Sequence, residues 1–451
     1  MQQQFSALRR SSMLKVAGIG ILILVMLIPM AMTRGVIHDR SSISQQARMD
    51  IMRSWGNQQL VAGPILVVPY KLVRLHPYGD RQEEDGELNL LPEELLVDVE
   101  LIPEIRYRGL HEVPVYTANT VMTGVFAPPD TMGLGIDQAD FDWSRAYFAV
   151  PVADARAIRN APAIEINGEV ARFEAGGERI RGLPLQIVAG AGSLLDENSR
   201  SAPLQFTIDL DIGGTDRLQY LPLGDTTSLA IRSDWPSPSF TGNHLPETRA
   251  VTDAGFNASW RVSSLGRSLP SRWTSTDDEV SSIADSAFGV DLFVPVGLYQ
   301  LTDRATKYAV LFIGLTFVAY FLFEVLAQLR LHPLQYLLVG FANTLFYLML
   351  LSFAEHLGFG WSYLVSSLAS TGLVAAYSSS ILGGWRRAAL ITIMLTCLYG
   401  FLYLTLNAES YAMLAGAIGL WLILGLIMYL TRGIDWYQWA KTDDQDDGRA
   451  F

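Results

Sequence analysis

The sequence predicts a membrane protein of the α + β class, in which six transmembrane helices are joined to one large, mostly β domain of the sandwich type. The 451 residues are 50% hydrophobic with a mean hydropathy of +0.24, too apolar for a soluble protein and too polar for a bare helix bundle. A long middle stretch alternates polar and apolar residues with period two, as half-buried strands do. Apolar segments long enough to cross a bilayer lie on both sides of it.

The first apolar segment follows a basic N-terminus, residues 1–15, that contains Arg9, Arg10 and Lys15. We predict transmembrane helix 1 at 16–33. A signal peptide is the alternative, but the run exceeds a typical h-region and no A-x-A site follows, which favours an uncleaved anchor. Beyond it, Ile43, Ala47, Ile51 and Trp55 are spaced four apart, which predicts either an amphipathic stalk or a helix that caps the soluble domain.

Residues 34–305 are predicted to form the β domain, inserted between helices 1 and 2 as a sandwich or two packed sheets. LQFTIDLDI at 204–212 shows the clearest alternation. The other local predictions are one buried strand at 60–70, a hairpin turn at Asn167-Gly168, a strand end at Gly213-Gly214 and a solvated loop at 82–87.

Five further helices are predicted to form a transmembrane bundle over 306–431, followed by an acidic tail at 432–451. Thr302 and Asp303 are predicted to cap the first of them. The predicted spans are 308–327, 334–353, 361–382, 388–406 and 412–430.

Basic residues near the span ends predict the orientation. Arg330, Arg386, Arg387 and Arg432 lie on the same side as the basic N-terminus, whereas the loops at 354–360 and 407–411 contain no Lys or Arg. By the positive-inside rule both termini are cytoplasmic. The β domain is then periplasmic, and the protein is predicted to be in the inner membrane of a Gram-negative cell.

Composition and motifs exclude several classes. The net charge of −12 with dispersed basic residues argues against nucleic-acid binding. The single cysteine, Cys397, allows no intrachain disulfide. No HExxH, GxSxG or P-loop motif occurs and the histidines lack metal-ligand spacing, so we predict no cofactor, no metal and no enzymatic activity.

Long segments of the chain resemble a known family. They are QLVAGPILVVP at 59–69, LPEEL at 91–95, SDWPSPSFTGNHLP at 233–246, YQLTDRATKYAVLFIGLTFVAYFLFE at 299–324, RLHPLQYLLVG at 330–340, FYLMLLSFAEHLGF at 346–359 and RGIDWY at 432–437. In this order they resemble the CreD family of bacterial inner-membrane proteins. The resemblance implies a role in cell-envelope integrity and envelope stress, with induction through a two-component regulon, a β-lactam response and colicin tolerance.

Polar residues in the predicted spans are candidates for a membrane site. Glu324, Gln328 and His332 bring a carboxylate, an amide and an imidazole close in sequence, which suggests a proton or ion relay. The alternative is a snorkelling carboxylate that pairs with a nearby arginine or caps the next helix. Asn343 is expected to join helices by a hydrogen bond rather than to bind a substrate.

The Pro-rich segment at 233–246 is the candidate periplasmic recognition loop, with Asp234, Trp235, Asn243 and His244 as its residues. Equally, Trp235 and Phe240 can plug the end of the sandwich. We therefore predict a non-enzymatic envelope-integrity protein whose partners are the lipid bilayer and envelope proteins or peptidoglycan. The alternative is a small transporter or exporter that uses the bundle, with Glu324 and a small-residue face in span 361–382 along the route.

Overall fold

The computed structural model describes residues 12–75, 81–128, 136, 140–195, 201–267, 269–275, 285–292, 297–326, 331–382, 384–408 and 411–432. The chain divides into two compact units. The first, which we call the bundle, combines residues 1–43 with 296–451, and the second, the β domain, covers 44–295.

Helix α1, Ser12–Trp55, runs unbroken for 44 residues and contributes to both units. Met26 and Met30 lie in the apolar core of the bundle. Ile51 is buried with Val113 in the β domain. The stripe predicted at 43–55 thus ends against protein, as a capping helix does, although Ile43 itself is exposed.

In the described part of the β domain the strands form three sheets rather than one sandwich of two. The strands are numbered here in chain order. The four-stranded sheet has the order β1 (Gln59–Ala62), β12 (Arg217–Leu221), β18 (Phe288–Leu292), β14 (Pro238–Gly242). The six-stranded sheet has the order β17 (Arg272–Thr274), β3 (Arg81–Leu90), β2 (Ile65–Leu75), β6 (Tyr147–Pro151), β10 (Gln186–Gly190), β9 (Glu174–Gly177). The eight-stranded sheet has the order β15 (Thr248–Thr252), β16 (Gly255–Ser263), β13 (Thr226–Ser233), β4 (Glu94–Arg108), β5 (His111–Phe126), β11 (Leu204–Thr215), β7 (Ala163–Ile166), β8 (Glu169–Arg172).

One large apolar cluster draws side chains from all three sheets and forms the main core of the domain, and a second cluster includes Ile65 and Leu223. Strand β11 supplies the alternating residues that the sequence predicts, and these five are all buried: Leu204, Phe206, Ile208, Leu210 and Ile212. The predicted hairpin turn is also present, because Asn167 and Gly168 join β7 to β8 with φ angles of 49° and 94°. Two consecutive positive φ values are typical of a type I′ turn.

Two local predictions in the β domain are wrong, and the strand end predicted at Gly213-Gly214 is displaced by one residue, to Thr215. The segment 60–70 forms two strands in different sheets, with Gly63 and Pro64 between them. The charged run 82–87 belongs to β3 and pairs antiparallel with β2, because the ladder with a neighbour outweighs the preference of acidic residues for loops. Gly213 and Gly214 lie inside β11, where a Cβ on Gly214 would lie 2.3 Å from the Tyr116 hydroxyl oxygen.

The remaining helices belong to the bundle. They are α2 (Leu298–Lys307), α3 (Ala309–Leu326), α4 (Pro333–Leu357), α5 (Phe359–Ile381), α6 (Trp385–Asn407) and α7 (Ala412–Thr431). Among the described residues, five helices are long and apolar enough to cross a membrane, or up to six if α2 and α3 count as one span bent by 42°.

The predicted helix start at Thr302 and Asp303 is wrong. Helix α2 begins at Leu298 with Gly297 as its N-cap, and the Thr302 hydroxyl donates to the Leu298 carbonyl one turn back, 2.9 Å away. Asp303 instead forms an ion pair with Lys307 at 2.9 Å. At the other connection, Gly358 alone separates α4 from α5, and its φ of 72° is one that a glycine adopts readily.

Candidate functional site

Glu324 is a buried carboxylate in the last turn of α3. Its Oε2 accepts a hydrogen bond of 2.9 Å from the hydroxyl of Tyr336 on α4. The Tyr336 ring in turn packs edge-on against Phe317, with ring centroids 5.7 Å apart. A buried carboxylate needs such a donor, since an unpaired one is costly to remove from water. This contact joins α3 to α4, and the sequence analysis did not identify Tyr336.

The other two residues of the predicted relay are Gln328 and His332. Gln328 lies outside the described residues. His332 is the N-cap of α4, where its Nδ1 accepts from the Leu334 amide at 3.2 Å. The Gln335 side chain completes a capping box by accepting from the His332 amide at 3.0 Å. His332 is exposed, and starting α4 is the role that these contacts support.

Asn343 is buried within α4 and donates from Nδ2 to the Thr316 hydroxyl on α3, 3.1 Å away. The geometry is that of a cross-helix hydrogen bond, as expected for a polar residue in an apolar bundle. Its Oδ1 has no hydrogen-bond partner among the described residues, and the same holds for the Tyr347 hydroxyl and Ser366 Oγ. The interior of the bundle therefore contains three buried oxygens on α4 and α5 that can still accept hydrogen bonds.

The small-residue face of α5 places hydroxyl groups inside the bundle. Ser370 Oγ donates to the Ala342 carbonyl at 3.2 Å and lies 3.1 Å from the Tyr399 hydroxyl. Ser378 forms a short hydrogen bond with Tyr320 of α3. Close packing and cross-helix hydrogen bonding account for these serines, and nothing in their contacts requires a permeation route.

In the β domain, the segment 233–246 is not only a loop, because Pro238–Gly242 forms strand β14 beside β18. Trp235 and Phe240 are half-buried and pack on the main apolar core. Phe240 meets Trp260 edge-on, with ring centroids 5.8 Å apart. These contacts match the interpretation in which the two aromatic residues close the end of the domain.

The polar candidates of that segment lie closer to the surface. Asp234 and Asn243 are exposed, and Asn243 Nδ2 donates to the Asp285 carbonyl. His244 is half-buried and packs edge-on against Phe288 at 5.6 Å, while its buried Nε2 lacks a hydrogen-bond partner in the described structure.

Two exposed leucines flank His244, and the sequence analysis missed them. Leu245 follows it in the chain and is 71% exposed, and Leu265 is 96% exposed. The backbone that carries Leu265 passes close to His244, because a Cβ built on the next residue, Gly266, would lie 3.1 Å from the imidazole Cε1. We call His244, Leu245 and Leu265 the leucine patch. Exposed apolar side chains grouped around a polar one are typical of interaction surfaces.

A polar cluster centred on the buried carboxylate of Asp154 fixes the residues that follow α1 to the β domain. Its Oδ2 accepts from Asn57 Nδ2 at 3.0 Å, and Arg156 Nε donates to Oδ1 at 2.8 Å. The hydrogen bond from Arg156 lowers the pKa of Asp154 below its usual value, and burial opposes this only in part. Asp154 thus ties the residues just after α1 to the β domain.

Within the described residues, no group of three or more His, Cys, Asp and Glu side chains has a geometry that could hold a metal ion.

A multi-pass membrane bundle joined to a large β domain is the class of protein that this fold defines. The family described as inner membrane protein CreD matches residues 11–437. The chain is also 34% identical over 428 residues to the inner membrane protein CreD of Escherichia coli (strain K12), covering 93% of this chain and 92% of that protein. The chain belongs to the CreD family of inner membrane proteins.

Among solved structures, the chain is similar to a mutant of the M1 zinc metallopeptidase from Deinococcus radiodurans, crystallised with a bound peptide substrate. That match has 11% identity and a TM-score of 0.20, and it covers 38% of this chain and 39% of that one.

Proposed function

We propose that this protein is a non-enzymatic factor for cell-envelope integrity, in which a periplasmic binding or sensing domain is coupled to the membrane bundle. Membership of the CreD family supports the inner-membrane setting. The envelope role, the response to β-lactams and colicins and the two-component regulon are what the family resemblance implies. The basic residues on one side of the predicted spans support a periplasmic β domain and cytoplasmic termini.

The observation that carries the coupling is the continuity of α1. One helix supplies Met30 to the core of the bundle and Ile51 to an apolar cluster of the β domain. Arg34 donates to the Thr306 carbonyl at 3.0 Å within the bundle, and Arg48 pairs with Asp216 at 2.5 Å within the β domain. Each turn of a helix is hydrogen-bonded to the next, and this continuity is the route by which we propose that a change in one unit reaches the other.

A proline in α1 tests the coupling. Ser42 is exposed and lies at the border between the two units, so Ser42→Pro breaks the hydrogen-bond ladder without removing a core side chain. The expected cost to the helix is about 3 kcal/mol, enough to kink it. We expect Ser42→Pro to accumulate normally but to fail to restore colicin and β-lactam phenotypes in a deletion strain.

Ser42→Ala is the matched control, because alanine keeps the helix, and it should complement fully. Complementation by Ser42→Pro at wild-type level would refute coupling through α1. Full function of a chain whose residues 44–295 are replaced by a short linker would refute the role of the β domain itself.

The leucine patch is the surface that we propose for recognition of an envelope protein or peptidoglycan. A photoreactive residue at Leu245 would capture such a partner in intact cells, and one at Tyr107, which is 65% exposed on β4, serves as the control. A specific envelope adduct at Leu245 but not at Tyr107 supports recognition. Trp235 is unsuitable for the probe because it packs on the core.

Transport is the second candidate function, favoured by the buried Glu324 and by the unpartnered oxygens of Asn343, Tyr347 and Ser366. Glu324→Gln separates the two functions because it removes the charge and keeps an acceptor for Tyr336. Envelope phenotypes that persist with normal protein levels exclude a relay through Glu324. Loss of function at normal levels would favour transport.

A further inference from the structure

A groove of about 570 Å³ runs along the outside of the bundle between α5 and α6. Gly360 and Tyr403 lie at one end, and Thr371 and Thr396 at the other. Its volume falls within the range of small-molecule sites, roughly 300–1,000 Å³. All of its lining residues belong to two helices that are long and apolar enough to span a membrane.

The chemistry of the groove disfavours a charged or strongly polar group inside it. None of the described residues that line it carries a charge. Its hydroxyl groups are largely committed to helix carbonyls: Ser367 donates to Leu364 at 3.0 Å, Thr396 to Thr392 at 2.8 Å and Tyr363 to Tyr399 at 2.6 Å. Hydroxyls that donate to their own or a neighbouring backbone present mainly carbon to a ligand. The groove is therefore complementary to hydrocarbon.

The length of the groove matches the hydrocarbon thickness of one leaflet of a bilayer. Residues 360–371 of α5 span about 16 Å along the helix axis at 1.5 Å per residue. The hydrocarbon core of a bilayer is about 30 Å thick, so this is about half of it. Because Gly360 is in the first turn of α5 and Thr371 is near the middle of that helix, the groove extends from the α4–α5 connection to about half the length of the span.

The end of the groove near the α4–α5 connection also carries a side chain that is typical of a membrane interface. Trp361 is 68% exposed there, and tryptophan is enriched where the acyl chains meet the headgroups. At the inner end the exposed side chain is Leu368, which is apolar. A ligand with a polar head beside Trp361 and a hydrocarbon tail beside Leu368 fits this order.

From these observations we infer that the α5–α6 groove is a lipid site that holds one acyl chain of a bilayer phospholipid from the leaflet that adjoins the α4–α5 connection. This inference does not depend on the proposed function.

Two exposed glycines provide the test and its control. A Cβ added at Gly400 would meet nothing within 4 Å, and Gly400 lines the groove, so Gly400→Leu starts a side chain in open space and directs it into the groove. Gly372 on α5 is equally open but does not line the groove, so Gly372→Leu is the matched control. Ser367→Phe, which fills the groove from the other helix, is the second test variant.

The experiment uses the full chain in nanodiscs that contain phosphatidylethanolamine with a diazirine midway along one acyl chain, followed by irradiation and peptide mass spectrometry. We expect adducts concentrated at 360–371 and 396–403, and about a tenfold loss of them in Gly400→Leu and Ser367→Phe, equivalent to about 1.4 kcal/mol of affinity. Gly372→Leu should retain them.

Two results would contradict the proposal of a lipid site in the α5–α6 groove. One is equal labelling of the exposed surface of α7, or labelling that persists in both filled variants. The other is a crosslinked dimer through α5 and α6, which would make a second copy the occupant.

Discussion

The β domain and the bundle place polar and apolar side chains in opposite ways. In the alternating part of β11, residues 204–212, the buried residues are apolar, and the exposed Gln205 and Asp209 alternate with them. In α7 the apolar residues face outwards, with Met413 89% and Trp421 73% exposed. The contrast indicates two solvents: the first arrangement is stable in water, and the second is stable where hydrocarbon surrounds the helices.

The β domain and the bundle also differ in how they satisfy their hydrogen-bonding groups. The β domain satisfies its backbone in sheet ladders and forms ion pairs at the surface, such as Arg217 with Asp291 at 2.7 Å. The bundle satisfies its backbone within each helix, and its buried side chains bond across helices, as Tyr336 does to Glu324. Polar side chains should therefore contribute more to specific packing in the bundle, and apolar burial more to stability in the β domain.

The largest effect is expected from reversing polarity in the β domain. Leu210→Asp places an unpaired carboxylate in the main core, which should lower the free energy of unfolding by about 3–5 kcal/mol. Limited proteolysis of the full chain in detergent would show cleavage in the β domain. The adjacent Asp209→Asn, on the exposed face, should change stability by less than about 0.5 kcal/mol. Equal sensitivity at both positions would contradict the assigned faces of β11.

The next effect concerns Asp154 and depends on pH. Asp154→Asn removes a charge that accepts from Asn57 and Arg156, which should cost about 1.5–3 kcal/mol at pH 7. Because folding lowers the pKa of Asp154, its stabilisation is complete above the ordinary aspartate value of about 3.9 and is lost as the pH falls through the lowered pKa. The difference in thermal midpoint between wild type and Asp154→Asn should therefore shrink below about pH 4. A difference that is constant with pH would show that the charge is irrelevant.

A smaller effect is expected in the bundle from Tyr336→Phe. This change removes the donor to Glu324 and should cost about 1–2 kcal/mol, because the buried carboxylate loses that hydrogen bond. Glu324→Gln in the Tyr336→Phe background should recover part of the loss by removing the charge. A double-mutant cycle on thermal stability in detergent measures the coupling between the two side chains. Additive losses would show that the hydrogen bond contributes nothing.

Patterns that depend on nearest neighbours along the chain could be predicted from sequence. The alternation of β11 and the turn at Asn167-Gly168 are local, and the structure contains both. Strand β3 could not be predicted, because the acidic run at 82–87 is a strand only through its pairing with β2. The bend between α2 and α3 also escaped prediction, because no proline or glycine marks it in the sequence.

The candidate sites were predictable to a similar degree. Glu324 and Asn343 stand out in sequence because polar residues in apolar spans are rare. Their partners Tyr336 and Thr316 are 12 and 27 residues away along the chain, and tyrosine and threonine are common in spans. Leu245 and Leu265 gave no signal, because a leucine becomes informative only when the fold leaves it exposed.

The smallest effect tests whether polar side chains in the bundle contribute to specificity more than to stability. Asn343→Leu removes one hydrogen bond to Thr316 but also an Oδ1 that has no partner within the described structure. Interhelical hydrogen bonds in membranes average about 0.6 kcal/mol, so thermal stability in detergent should change by less than about 1 kcal/mol. The register of α3 against α4 should instead loosen, and cysteine pairs placed across the α3–α4 interface should crosslink over a wider range of linker lengths than in the wild-type background. A large loss of stability would mean that Asn343 is held by buried water, which would make this part of the bundle resemble a polar protein interior rather than a lipid-solvated one.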